Sequence, residues 1–351
     1  MSASDRLYTA PIVCDRALPG AWPLAGTPHG FREVAMRRRG QPAEILPAEA
    51  AASVDPQAAA AIARMAEARR PVAGLDLGRL RLMGVVNVTP DSFSDGGQHA
   101  TTAAAHAHAR ALAAAGADIL DIGGESTRPG ATPVPARDEI ARVVPVIEAI
   151  VADQDITVPV SIDTRHAETA SAARAAGARV LNDVSALGHD PAMAGEAPGF
   201  EALCLMHAQG DPQTMQADPR YDDVLFDIYD FLEERLAAAE ALGIARARVL
   251  VDPGIGFGKH MDHNLSLIRG IGLFHALGAP LLLGVSRKRF IGTLSGEAEA
   301  ARRAPGSIAA GLYGAGQGVH VLRVHDVAET AQALAVWHAL EDAGTTGEER
   351  A

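Results

Sequence analysis

The sequence predicts a (β/α)₈ barrel preceded by an N-terminal extension. Three observations carry the prediction. From Leu80 onward short apolar runs alternate with alanine-rich amphipathic stretches. The alternation occurs eight times over about 260 residues, the repeat number and size of a closed parallel barrel. Every run ends in polar residues, which gathers chemistry at one mouth. A doubly wound sheet alternates as well, but it needs fewer strands and a topological switch point.

The elements follow in order. Residues 1–76 read as an accessory extension, because Pro11, Pro19, Pro23, Pro28, Pro42 and Pro47 break any long element there. Its one strong helical stretch is Pro56 to Arg70, and Arg37, Arg38 and Arg39 read as a solvated turn. Residues 77–345 form the barrel and 346–351 a flexible tail. The predicted strands are Leu82–Val88, Ile119–Ile122, Val158–Ile162, Val180–Val184, Ala202–Met206, Val249–Val251, Leu281–Val285 and Val319–Val324. Between them the pattern predicts helices over Thr102–Ala115, Ile140–Ala152, His166–Ala176, Leu225–Leu242 and Ala328–Ala343.

Composition narrows the class. The 351 residues carry 31 basic and 43 acidic side chains, a net charge of −12, with 48% apolar residues. An acidic balance offers no footprint for nucleic acid or an anionic membrane, so an anionic substrate needs a local basic cluster. Two distant cysteines, Cys14 and Cys204, make no disulfide framework, and no apolar run approaches eighteen residues. A cytoplasmic protein is the expectation.

The strand ends carry Asn87, Asp121, Asp163, Asn182 with Asp183, His207, Asp252, Ser286 to Arg289, and Arg323 to Asp326. Any one of these is an ordinary loop starter or helix cap; eight strand ends converging on one mouth make a site. The loops have their own signatures. Gly84–Gly97 reads GVVNVTPDSFSDGG and Asp118–Gly130 reads DILDIGGESTRPG. SIDTR follows at Ser161–Arg165, LNDVSA at Leu181–Ala186 and LMHAQGDPQTMQ at Leu205–Gln216. DPGIGFGK stands at Asp252–Lys259, GVSRKRFIG at Gly284–Gly292 and LRVHDV at Leu322–Val327.

In this order and at these strand ends the motifs closely resemble the dihydropteroate synthases, a family of pterin-binding barrels. The resemblance covers roughly residues 80–340 and leaves the extension outside. It implies a transferase of folate biosynthesis that condenses 6-hydroxymethyl-7,8-dihydropterin diphosphate with 4-aminobenzoate, with sulfonamides as inhibitors. By resemblance Asp163, Asn182, Asp252 and Lys288 bind the pterin, and Asn87, Arg323 and His325 the diphosphate. Asn87, Lys288, Arg323 and His325 are the expected catalytic set. Asn87 is the expected contact of a Mg²⁺ ion, a hard cation that bridges diphosphate oxygens. Phe93, Thr127, Pro129, Phe257 and Ser286 form the implied aminobenzoate pocket, with Asp95 and Arg128 ordering the loops. Partners are then small molecules only, with a homodimer expected by analogy.

Two other readings use the same barrel. A methyltetrahydrofolate-binding methyltransferase would need Asp163, Asn182 and Asp252, but not the diphosphate grip of Arg323 and His325. A non-catalytic pterin-binding paralogue would have eroded loops, and none of the quoted motifs is damaged. Gly254, Gly256 and Gly258 are spaced GxGxG, which is not a dinucleotide fingerprint. His106 and His108 lie two apart on a helix and read as surface residues, and His260 and His263 lack the company of further ligands for zinc.

Overall fold

The computed structural model describes residues 5–88, 97–126, 133–210 and 214–345. The extension opens with strands β1 (Tyr8–Asp15), β2 (Trp22–Pro23), β3 (His29–Arg37) and β4 (Glu44–Pro47), joined in an antiparallel sheet with β3 at its centre. Helices α1 (Ala48–Val54) and α2 (Pro56–Ala66) follow. The Asp55 side chain caps α2 by accepting from the Gln57 and Ala58 backbone N–H groups. The sheet corrects the expectation that prolines leave the extension without long elements. They are accommodated at margins: Pro11 lies in β1, which among the described residues pairs with β3 alone, and Pro47 ends β4.

Strands β5 (Arg81–Asn87), β6 (Ile119–Gly123), β7 (Val160–Asp163) and β8 (Val180–Asp183) alternate with helices α3 (Gly97–Ala114), α4 (Ala136–Ala152) and α5 (Ala167–Ala175). After α6 (Met193–Glu196) come β9 (Ala202–Met206), α7 (Val224–Ala241), β10 (Val249–Asp252) and α8 (Met261–Arg269). The chain closes with β11 (Leu282–Leu283), α9 (Arg289–Ser295), α10 (Ala304–Gly316), β12 (Val321–Val324) and α11 (Val327–Thr345). The eight strands pair in parallel around the ring, and a bridge between Val251 and Leu281 joins β10 to β11 across the seam. The barrel is thus the predicted one, with every apolar run in place.

Strand alternation sorts the core. Met83, Ile119, Val180, Ala202, Leu250, Leu282 and Val321 form one buried cluster inside the lower barrel. Leu82, Leu120, Leu181, Leu203 and Leu322 belong to the cluster that packs under the helices. The lower opening is plugged by the extension. Val72 and Leu75 exchange backbone hydrogen bonds of 2.9 Å around Ala73 (φ 48°) and Gly74 (φ 81°), a tight two-residue turn. Val72, Ala73 and Leu77 join the interior cluster.

Arginines dock the rest of the extension on α7. Arg39 pairs with Asp227 (2.5 Å) and Asp230 (2.7 Å), Arg37 with Asp223 (3.4 Å), and Arg38 with Asp55 (3.1 Å). Arg37–Arg39 are therefore not a solvated turn; Asp227 and Asp230 on α7 hold Arg39, and Asp223, which caps that helix, holds Arg37. Three buried histidines line the same seam. His320 Nδ1 accepts from the Leu281 N–H and its Nε2 meets the Ala25 carbonyl at 3.2 Å. His275 Nε2 meets the Gln317 carbonyl, and His29 Nε2 that of Ala315.

Candidate active site

The parity that fills the lower barrel with aliphatic side chains brings polar ones inward one layer higher. Counting up from Ile119, Val180, Leu250 and Val321 by two gives Asp121, Asn182, Asp252 and Arg323. Asp121 is fully buried, Asn182 is 4% exposed and Asp252 5%. Arg323 joins them: its Nε donates to Asp121 Oδ2 and its Nη2 to Asp163 Oδ2, both at 2.6 Å. Asn182 Nδ2 donates to the same Asp121 oxygen at 3.1 Å. Charge-assisted pairs of this length need their oppositely charged partners, because lone charges at this depth are costly.

Burial shifts these groups. It pushes the Asp163 carboxyl up to about 7 against the pull of Arg323, with Asp121, Glu139 and Asp183 adding to the rise. Burial raises Asp252 too, opposed by the Gly254 N–H on its Oδ1 (2.7 Å) and by Lys288, Lys259 and Arg323. Burial depresses the Arg323 guanidinium, but Asp121 and Asp163 outweigh it and hold the charge on.

The glycine loop after β10 forms one wall. Gly254 (φ 69°) and Gly258 (φ 63°) run against the loop after β9, where an added Cβ would lie 1.9 Å from the His207 carbonyl oxygen and 2.4 Å from that of Gln209. Only glycine fits both the conformation and the approach. Lys259 staples the two loops, its Nζ meeting His207 Nδ1 (3.0 Å), the His207 carbonyl (3.3 Å) and the Phe257 carbonyl (2.9 Å). Burial drives the Lys259 amine well below its ordinary value, and burial with the Lys259 charge does the same to His207. Above the loop, the Lys288 ammonium stands 4.1 Å from the Phe257 ring centroid, a cation–π contact.

The end of β12 meets the loop after β11. Ser286 Oγ accepts the His325 N–H (3.1 Å) and lies 2.9 Å from His325 Nδ1. With the hydroxyl donating to Nδ1, the neutral imidazole carries its proton on Nε2. Asp326 pairs with Arg287, which has φ 58°. Asn87 stands at the end of β5, where a Cβ on Gly123 would lie 3.8 Å from its Oδ1 and 3.7 Å from the Asp163 Cβ. The bare glycine keeps the space between those two residues open.

Of the residues singled out in the sequence, Asp163 and Arg323 bond directly, Asn182 joins them through Asp121, and Ser286 pairs with His325 and Lys288 with Phe257. Phe93, Asp95, Thr127, Arg128 and Pro129 lie outside the described residues. The sequence places Asp121 and His207 at strand ends facing the mouth but gives them no specific part, and it does not single out Lys259. The contacts of Lys259 and His207 depend on where two loops meet, which no spacing encodes. His263 Nδ1 accepts from the His260 N–H at the start of α8, and no group of three or more metal-type ligands occurs among the described residues. None of the described helices is long and apolar enough to cross a membrane.

Residues 83–325 match the family described as pterin binding enzymes. The dihydropteroate synthase of Escherichia coli (strain K12) is 45% identical over 262 residues, covering 75% of this chain and 92% of the relative. That of Neisseria meningitidis serogroup B is 48% identical over 273 residues, covering 76% and 94%. Among solved structures, Xanthomonas albilineans dihydropteroate synthase with 4-aminobenzoic acid has a TM-score of 0.72 at 50% identity, over 78% of this chain and 98% of that one. The Yersinia pestis dihydropteroate synthase with a sulfonamide drug complex has a TM-score of 0.72 at 42% identity, over 78% and 99%.

Proposed function

The chain belongs to the pterin binding enzyme family, and from that premise we propose that it is the transferase that joins 4-aminobenzoate to 6-hydroxymethyl-7,8-dihydropterin diphosphate, giving 7,8-dihydropteroate and diphosphate for folate biosynthesis. One observation carries the reading: buried Asp121, Asp163, Asn182 and Asp252, with half-buried Arg323, form a ring at the C-terminal mouth of the barrel, in a chain 45% identical to a dihydropteroate synthase over 75% of its length.

A pterin edge presents adjacent N–H donors, which a buried carboxylate accepts as a pair. Asp252 takes that edge, Asn182 and Asp163 complete the slot, and Lys288 donates to the ring carbonyl or a ring nitrogen. Arg323 and the Nε2–H of His325 meet the diphosphate, near the start of α11. The methylene carbon is attached to an electron-rich dihydropterin, so the C–O bond breaks first and its electron pair leaves with diphosphate. The arylamine then forms the C–N bond and loses a proton. Already neutral at pH 7, it needs no strong base, so catalysis is electrostatic stabilisation and positioning. Phe257 and Ser286 border the second substrate, which Phe93, Thr127 and Pro129 complete, with Asp95 and Arg128 ordering their loops.

Magnesium fits beside Asn87. A magnesium ion held mainly by substrate phosphates and water asks for few protein oxygens, and Asn87 faces the space kept open by Gly123. When bound, it neutralises diphosphate charge and improves the leaving group. The enzyme acts in the cytoplasm, in keeping with its free Cys14 and Cys204. It pairs as a homodimer through α9 and α10, where exposed Leu294 lines an apolar groove with Phe290, Ile291 and Ala310.

The test is incubation of the purified protein with both substrates and magnesium, followed by measurement of dihydropteroate and diphosphate. Stoichiometric appearance of the two is expected; no product would overturn the assignment.

A further inference from the structure

Asp121 lies within the ring, below the groups that meet the two substrates. It is fully buried, and one of its oxygens, Oδ2, accepts from both Arg323 Nε (2.6 Å) and Asn182 Nδ2 (3.1 Å). A carboxylate that receives a guanidinium offers only lone pairs, so the amide can approach it only with its NH₂ end. Fixing that end fixes the other: the Asn182 carbonyl oxygen is turned away from Asp121 and is presented as an acceptor. Reversing the amide would set an oxygen against a carboxylate oxygen and leave two buried donors without partners. Arg323 is held from the same side: its Nε rests on Asp121 while its Nη2 reaches Asp163, so the two carboxylates together set the plane of the guanidinium.

We infer that Asp121 is a positioning residue, which acts through Asn182 and Arg323 to fix an acceptor toward the pterin and a cation between β6, β7 and β12. The inference rests on the function proposed above. It makes the donor pattern that the site selects a property of a side chain one shell below the ligand.

The test is a charge-conserving swap read by steady-state kinetics and calorimetry. In Asp121→Asn the amide at 121 competes with that of Asn182, so the KM for dihydropterin diphosphate should rise about 30-fold, the effect of one unsatisfied buried group, while the KM for aminobenzoate stays within about twofold. The double variant Asp121→Asn/Asn182→Asp again sets one amide against one carboxylate. It should restore binding of the dihydropterin to within about fivefold of native. Asn182→Ala closes the cycle: it should cost about tenfold or more in the native background and under about threefold beside Asp121→Asn. Equal costs in both backgrounds would overturn the inference, as would an unchanged KM in Asp121→Asn. If Asp121→Asn alone does not fold, the swap decides, since a folded swap that fails to bind would mean that Asp121 meets the pterin itself. A native protein that binds no dihydropterin would instead overturn the proposed function, and the inference with it.

Discussion

Asp252 has one oxygen held by the Gly254 N–H and is 5% exposed, so its deletion leaves a desolvated slot rather than a hydrated one. Asp252→Ala should weaken dihydropterin binding by about 2 to 4 kcal/mol with the fold intact. Calorimetry checks this, and unchanged affinity would remove Asp252 from the site. Asp163 makes a pH prediction. Its carboxyl is raised to about 7, so the proton leaves as pH rises through that value. Pairing with Arg323 uses the ionised form, and kcat/KM for dihydropterin diphosphate should therefore climb through about pH 7 and level above it. Asp163→Asn should flatten that limb of the profile. The stability sign is opposite. A carboxyl raised above its unfolded value of about 3.9 stabilises the fold in its protonated form, a contribution full at low pH and lost as pH rises toward 7.

At the scale of the element, the glycine loop after β10 is fixed by approach as much as by conformation. Gly254→Ala would place Cβ 1.9 Å from the His207 carbonyl oxygen at φ 69°, and a shift of either loop follows. A loss of at least about 2 kcal/mol is expected in denaturant unfolding; a melt equal to native would show that the loops separate freely. The barrel strands were legible because a parallel strand buried on both faces is a bare apolar run, such as Val249–Val251, that ends in a polar residue. Helix α10 was not, since Pro305, Gly306, Gly311 and Gly314 depress its propensity. Packing demands two of those glycines: a Cβ at Gly306 would lie 2.3 Å from Ile291, and one at Gly314 2.5 Å from Leu283. The extension's sheet stayed hidden because its prolines read as breaks, and their edge positions become visible only once β3 lies between β1 and the short strands β2 and β4. Of the site, the strand-end residues could be read from their parity, whereas the Lys259 staple could not, because it depends on where two loops cross.

Across the whole molecule, the seam between extension and barrel is sensitive to acid. Burial, aided by Arg69, lowers His320 to about 3, and its Nδ1 can accept from the Leu281 N–H only when unprotonated. Burial holds His275 well below its ordinary value too. A histidine lowered in the fold stabilises it fully above about pH 6.5 and progressively less as pH falls, so by pH 5 His320 costs about 2 kcal/mol and His275 adds to the loss in the same direction. His320 alone should lower the melting temperature by about 2 to 3 °C between pH 7.5 and 5, and His320→Gln should shrink the drop; an equal drop in the variant would place the acid sensitivity elsewhere. The same seam orders events during synthesis. Residue 25 leaves the ribosome 295 positions ahead of His320, and Arg6 leads its partner Glu233 by 227. The sheet that is made first has its docking partners made last. Its apolar face must therefore remain uncovered through most of translation, and closure of the barrel floor is the late, long-range step in which chaperone capture or misassembly competes with folding.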